Sequence, residues 1–295
     1  MKKVVRMLGL CALVALAFTS CKKNDNTNKV TFKATITQPI ADERTGINSS
    51  NAVIWTEGDA IQVFDENGAT TDPFVATLTE NGRVATFTGG GAFLANIHEA
   101  GKYTAFYPVQ AYDATTVTMN TIPYEQTYVP RDENRIMTDL YPMHATNDDE
   151  GNFVFSSDAG VLRISLFSTS TFEFLVKRIE IIAPEGDVVN GTLVYDNDNP
   201  NSKNVLPPAE NANKVVLQCF NEPLPTNPRW SVDFDIVVLG GVFENGFTMN
   251  VVRDNEAGQE EVYTVTTTVD NKINGGHVRA MYAIDVINPF PTPTN

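Results

Sequence analysis

Three histidines, His98, His144 and His277, and three cysteines, Cys11, Cys21 and Cys219, are the residues of this chain best suited to hold a metal or act as a nucleophile. Their spacing does not serve either purpose. The histidines are scattered with no close partner, and no His-x-His, His-Glu-x-x-His or Cys-x-x-Cys pattern occurs. A zinc site would have to be gathered from distant segments. A Gly-x-Ser-x-Gly elbow is missing, and Gly89-Gly90-Gly91 lacks the Lys-Ser/Thr of a phosphate loop, so it reads as a turn. The run Asp196 to Ser202 hints at a calcium loop, but Pro200 occupies the fifth, ligating place and no glycine follows at the sixth. A solvated acidic loop is the simpler reading. Two of the 36 acidic residues could form a glycosidase pair, yet nothing in their positions singles out two. Trp55 and Trp230 could stack on sugars if exposed; each lies in an apolar strand pattern, so both are expected in the core. The chain calls for no cofactor and no metal, and it is not expected to be an enzyme.

Charge narrows the partners. Against 36 Asp and Glu stand 21 Lys and Arg, a formal charge of 21 − 36 = −15. Residues 1–20 contain Lys2, Lys3 and Arg6 and no acid, so the remainder carries 18 − 36 = −18. Such acidity argues against nucleic acid and against electrostatic adhesion to anionic lipid. An apolar content of 42% is too high for a disordered chain.

Residues 1–20 have the layout of an export signal. A basic start is followed by the apolar run Met7 to Phe18 and the small-residue exit Thr19-Ser20. That run is well short of the ~20 residues needed to span a bilayer. Phe18-Thr19-Ser20-Cys21 resembles a bacterial lipobox, which implies lipidation of Cys21 and a polar tether over 21–28. Beyond Cys21 the only cysteine is Cys219, so the mature chain has no intramolecular disulfide framework. Cys219 lies in the apolar run Val215 to Phe220 and is expected to be a buried small hydrophobe.

The elements that must position any site are strands. Val30, Phe32, Ala34 and Ile36 alternate with polar neighbours, as in a half-buried strand. Similar runs are predicted at 52–55, 61–65, 74–78, 84–88, 102–107 and 116–122. They resume at 153–156, 160–168, 174–182, 188–195, 214–220, 230–239, 246–252, 261–269 and 277–287. Asn-Gly turns fall between several of them. One short helix is predicted near Ala92 to Glu99. Asp196 to Lys214, with Pro200, Pro207 and Pro208, reads as a long loop that cannot extend a central strand. The pattern predicts an all-β chain of antiparallel sandwiches, with domains at 29–150 and 151–295 divided at the polar stretch 147–152.

Four stretches resemble the fimbrillin family of Bacteroidota, the lipoprotein-derived subunits of type V pili. Ile54-Trp55-Thr56-Glu57-Gly58-Asp59-Ala60-Ile61-Gln62-Val63-Phe64 is similar to the family's Trp-x-x-Gly-Asp-x-Ile segment, and Gly101 to Pro108 resembles the strand that follows. Thr121-Ile122-Pro123 with Gln126 and Tyr128 matches the next segment, and Gly160 to Leu166 with Val176 to Ile181 resembles the opening of the second domain. The resemblance implies two tandem transthyretin-like antiparallel β-sandwiches after a lipoprotein signal peptide.

It also implies a mechanism and an address, the cell outer membrane. In the family an Arg-specific protease removes the first strand, and the vacated groove accepts a strand from the neighbouring subunit. Carried over here, the removable strand is Val30, Phe32, Ala34 and Ile36. The cleavage candidate is Arg44, the sole basic residue between Lys33 and Arg83. The donor candidate is the last strand, with Val278, Ala280, Tyr282, Ile284 and Val286 expected on one face. Beyond it Pro289, Pro291 and Pro293 prevent further pairing. The implied partners are other pilus subunits, the outer membrane through lipid on Cys21, and a surface receptor or glycan. A non-polymerising surface lipoprotein that binds glycan, or that anchors the pilus, is the alternative.

Overall fold

The computed structural model describes residues 29–287 apart from short interior segments, the longest being 42–52 and 131–139. Cys21 and Arg44 lie outside the described residues, as does 197–201 in the acidic loop. The chain is all-β: among the described residues no α-helix forms, and 22 strands make four sheets.

The largest sheet has eight strands. Its order is β4 (Gly68–Ala69), β3 (Ala60–Asp65), β5 (Phe74–Leu78), β6 (Val84–Gly90), β1 (Lys29–Ile36), β12 (Phe153–Ser157), β11 (Met143–Thr146) and β7 (Thr104–Tyr107). β3 also pairs β7, so seven of these strands close into a ring. The start of β3 pairs β5 and its latter part pairs β7, which makes it the corner between two layers. Inside the ring Trp55 meets Phe87, Tyr107 and Phe155 edge-on, with centroids 5.0–5.3 Å away. Such edge-to-face contacts suit the aromatic quadrupole.

The second half builds two five-stranded sheets. One runs β10 (Glu125–Thr127), β17 (Lys214–Pro223), β14 (Leu175–Ile182), β19 (Phe247–Asp254), β20 (Glu260–Thr267). The other runs β18 (Val232–Leu239), β13 (Ala159–Phe167), β21 (His277–Ala280), β2 (Ile40–Ala41), with β22 (Ile284–Asp285) also on β13. A four-stranded sheet joins the halves in the order β16 (Lys203–Leu206), β15 (Thr192–Asp196), β9 (Thr116–Met119), β8 (Val109–Tyr112). The halves are therefore woven together: β2 and β10 come from the first half and pair strands of the second. The Gln126 side-chain amide also acts like a length of backbone. It donates to the Val237 carbonyl at 2.7 Å and accepts from the Val237 N–H at 3.0 Å. The polar stretch 147–152 is the turn between β11 and β12, both strands of the first sheet.

Four expectations are corrected. In place of the helix near Ala92 to Glu99, the described residues there form i to i+3 turns such as Glu99 N–H to Asn96 carbonyl. Residues 53–56 carry no strand ladder, although the Trp55 N–H still bonds the Gly82 carbonyl at 2.7 Å. Inside the supposed loop 196–214 lies β16, exposed throughout and at a sheet edge. Its place between prolines explains both its shortness and its position. Finally, 277–287 is two short strands rather than one. The chain breaks from the ladder at 281–283, and Tyr282 turns out to solvent, 74% exposed, while Val278, Ala280, Ile284 and Val286 stay buried.

Candidate strand groove and the Asp158 cluster

β1 is an interior strand. It pairs β6 antiparallel from Lys29 against Gly90 to Thr35 against Val84, and β12 in parallel at Ala34, Thr35 and Ile36. The alternation read from the sequence is realised here, with Phe32, Ala34 and Ile36 buried and Val30 half-buried. Phe32 sits among Phe74 at 5.0 Å, Phe87 at 6.1 Å and Phe153 at 4.9 Å between ring centroids. The Ala34 carbonyl accepts from the Trp55 indole at 3.1 Å, so the tryptophan reads the backbone of β1. A side chain at Gly89 would collide with Phe74, its Cβ falling 2.6 Å from that ring, so glycine lets Phe74 lie across β6 beside Phe32.

Past Ile36 the chain crosses to the second half, where β2 pairs β21 in parallel, Ile40 against His277 and Ala41 against Val278. The segment ahead of Arg44 thus supplies a strand to each half. The segment Thr56 to Asp59 forms the turn that leads into β3. Gly58 has φ +90°, the Asp59 carboxylate accepts the Thr56 N–H at 2.7 Å, and Tyr107 donates to it at 3.0 Å. In the fourth motif Arg163 grips Asp235 across β13 and β18 with a bidentate pair at 2.7 and 2.8 Å.

A polar cluster not foreseen from residue spacing lies between the halves. His144 on β11 has Nδ1 3.2 Å from the Asp158 carboxylate; Tyr195 on β15 donates to it, and Lys203 on β16 pairs with it. His144, isolated in the sequence, gains this partner only in the fold. Its ring also packs against Tyr195 and Phe106, with centroids 5.3 and 6.3 Å away. Burial of Asp158 opposes its charge. The contacts from His144, Lys203 and Tyr195 outweigh that and hold the carboxyl well below the usual range. Burial, then the charge on Asp158, drives the Tyr195 phenol far upward. The cluster is a clasp centred on the buried Asp158 carboxylate, with Lys203, 42% exposed, as its water-facing member. Sequence could not reveal it, because its members are spread over residues 144–203 and have ordinary neighbours.

Cys219 is buried at 2% exposure, and that burial pushes its thiol far above its ordinary value, so it is unreactive in the folded state. Trp230 departs from its expected place in the core and is 69% exposed. Among the described residues no group of three or more His, Cys, Asp or Glu is placed to hold a metal ion.

No family model matches the chain, and no curated protein matches it. Among solved structures, a proposed cell adhesion protein of Bacteroides ovatus is 13% identical, with 86% of this chain and 91% of that one covered and a TM-score of 0.48. A proposed cell adhesion protein of Bacteroides uniformis is 14% identical, with 87% and 94% covered and a TM-score of 0.47. A fimbrial protein of Bacteroides ovatus is 12% identical, with 88% of this chain but 49% of that one covered and a TM-score of 0.41. Over most of its length, this chain is similar in structure to cell-adhesion and fimbrial proteins of Bacteroides.

Proposed function

We propose that this chain is an exported lipoprotein, anchored through Cys21, that becomes a structural subunit of a cell-surface adhesive pilus by losing its first strand and accepting one from a neighbour. The observation that carries the reading is the place of the N-terminal segment. β1 is a stave of the closed ring, and β2 lies on β21, so cleavage after Arg44 frees both from the rest of the chain. The gap left between β6 and β12 has unpaired main chain on both sides and a floor of Phe74, Phe87, Phe153 and Trp55. Strand addition takes affinity from such main-chain groups and specificity from pockets for alternate side chains. Residues 277–286 are the proposed donor. In the uncut subunit they complete their own sheet on β13, and excision strips β2 from the outer edge of β21.

The test treats the purified chain with an Arg-specific protease and follows intact mass and an unheated denaturing gel. A single early cut after Arg44 followed by a heat-sensitive ladder supports the reading. An uncut monomer refutes a polymerising subunit, and a clean cut without a ladder refutes the donor. A second reading, a non-polymerising lipoprotein that binds glycan, draws on Phe220, Trp230 and Tyr282, each 69–74% exposed. They belong to segments at the end of the second half away from β12.

A further inference from the structure

We propose that the outer edge of β20 is a self-association site, where the chain pairs antiparallel with β20 of a second copy about a two-fold axis at Thr264. β20 is the terminal strand of its sheet among the described residues, and all eight of its residues are in register with β19 on the inner side. Its outer side presents a row of main-chain donors and acceptors, which natural proteins blunt with lysine, proline, bulges or brevity. None of these protects it. From Val262 to Val269 the sequence is Val-Tyr-Thr-Val-Thr-Thr-Thr-Val, eight residues with no charge, glycine or proline. Its first six residues, Val262 to Thr267, lie on β20, and an uncharged stretch on such an edge is a template for strand addition.

The other sheet ends are better guarded. β2, β4 and β10 are two or three residues long, β8 is four residues long with a register shift after Val109, and β16 is followed by Pro207-Pro208. β18 is as long as β20, but Asp233 and Asp235 stand on it and the Gln126 amide occupies its main chain at Val237.

Side chains and charge select the partner and the register. Tyr263, Val265 and Thr267 face inward and are only half-buried, while Val262, Thr264 and Thr266 face out, with Val262 53% exposed. A two-fold axis normal to the sheet keeps both inner faces on one side, so opposed residues must share parity. Centring on Glu260 or Glu261 would set like charges against each other. Centring on Thr264 places Tyr263 opposite Val265 of the second copy, an aromatic and β-branched pair made twice. It also sets Val262 opposite Thr266, Glu261 opposite Thr267 and Glu260 opposite Thr268. The arrangement is self-complementary without any change in the subunit, and it does not depend on cleavage at Arg44.

The test is sedimentation velocity on the full, uncut chain over a range of concentrations. A dimer that dissociates on dilution is expected. Thr264→Lys and Thr264→Asp should each sediment as monomers, because like charges then meet at the axis. An equimolar mixture of the two should recover the dimer, a result that only a self-opposed position 264 produces. Thr264 also donates to Asn250 at 2.9 Å, so Thr264→Val, which loses that bond without adding charge, should remain dimeric. The unmodified chain remaining monomeric at the highest concentration would overturn the proposal. So would a dimer that survives Thr264→Lys, or a mixture that stays monomeric. Protease digestion is not involved, so failure here leaves the strand-exchange reading standing, and failure of that reading leaves this one standing.

Discussion

Phe32→Ala tests whether β1 is held as a separable stave. Phe32 is 5% exposed and its ring touches three others, from Phe74, Phe87 and Phe153, at 4.9–6.1 Å. Truncating a buried phenylalanine costs about 3–5 kcal/mol, because transfer energy is lost and a cavity is left. The rings on β5, β6 and β12 are tied into their own ladders and cannot collapse into that cavity freely, so the upper half of the range applies. At ~1.4 kcal/mol per tenfold, an opening cost lowered by ~4 kcal/mol raises the open population of β1 about a thousandfold. The assay is native-state hydrogen exchange resolved to single amides. In the variant, amides of residues 30–36 should lose protection by roughly that factor. Amides of β14 and β17 in the second half should change by less than tenfold. If β14 and β17 lose protection to the same extent as β1, the strand opens only with the whole molecule and the separable-stave reasoning is wrong. Unchanged protection in β1 would refute the packing argument itself.

Asp158→Asn should destabilise the chain by ~3 kcal/mol at pH 7. This is the low end for removing one partner of a buried pair, because the Lys203 side chain is 42% exposed. The folded-state pKa of Asp158 is depressed, so its contribution is full above the unfolded carboxylate value near ~4 and is lost as pH falls toward the folded value. Urea titrations at pH 7 and pH 3 should therefore show the gap between the two proteins narrowing in acid; a constant gap would assign the loss to shape alone. In a native digest at pH 8 the peptide bearing Cys219 should resist iodoacetamide and become labelled only in urea. Acrylamide should quench one of the two tryptophans, Trp230, and spare Trp55, which is fully buried. Trp230→Ala should remove the quenchable emission and change stability by less than ~0.5 kcal/mol.

Much of the fold was legible because a strand buried on one face writes its geometry into alternate residues. β1, β5, β6 and β14 were each predicted to within a few residues, since side chains there alternate between core and solvent. Short strands such as β10 and β11 span too few residues to show a period, and β16 is exposed on every residue. The single predicted helix failed because the described residues from Leu94 to Gly101 close as successive tight turns around Asn147. The Asn147 side chain donates to the Ile97 and Glu99 carbonyls at 2.6 and 2.8 Å. Trp230 and Tyr282 were misplaced for a related reason. Both sit where a strand pattern runs into a turn or a break, and periodicity cannot say on which residue pairing stops.

By itself, the sequence determined an acidic, all-β chain with an alternating first strand, a buried Trp55 and an inert Cys219. These properties are set by residue type and by neighbours one or two places away. Tertiary structure alone decided that β1 closes a ring, that β2 crosses to β21, and that Asp158 joins His144, Tyr195 and Lys203. It also decided that β20 is the last strand of its sheet among the described residues. Pairing partners and edges depend on which strands meet after the chain has folded back on itself. Each strand offers the same main-chain donors and acceptors to any partner, so the choice among partners is made by packing across the whole fold.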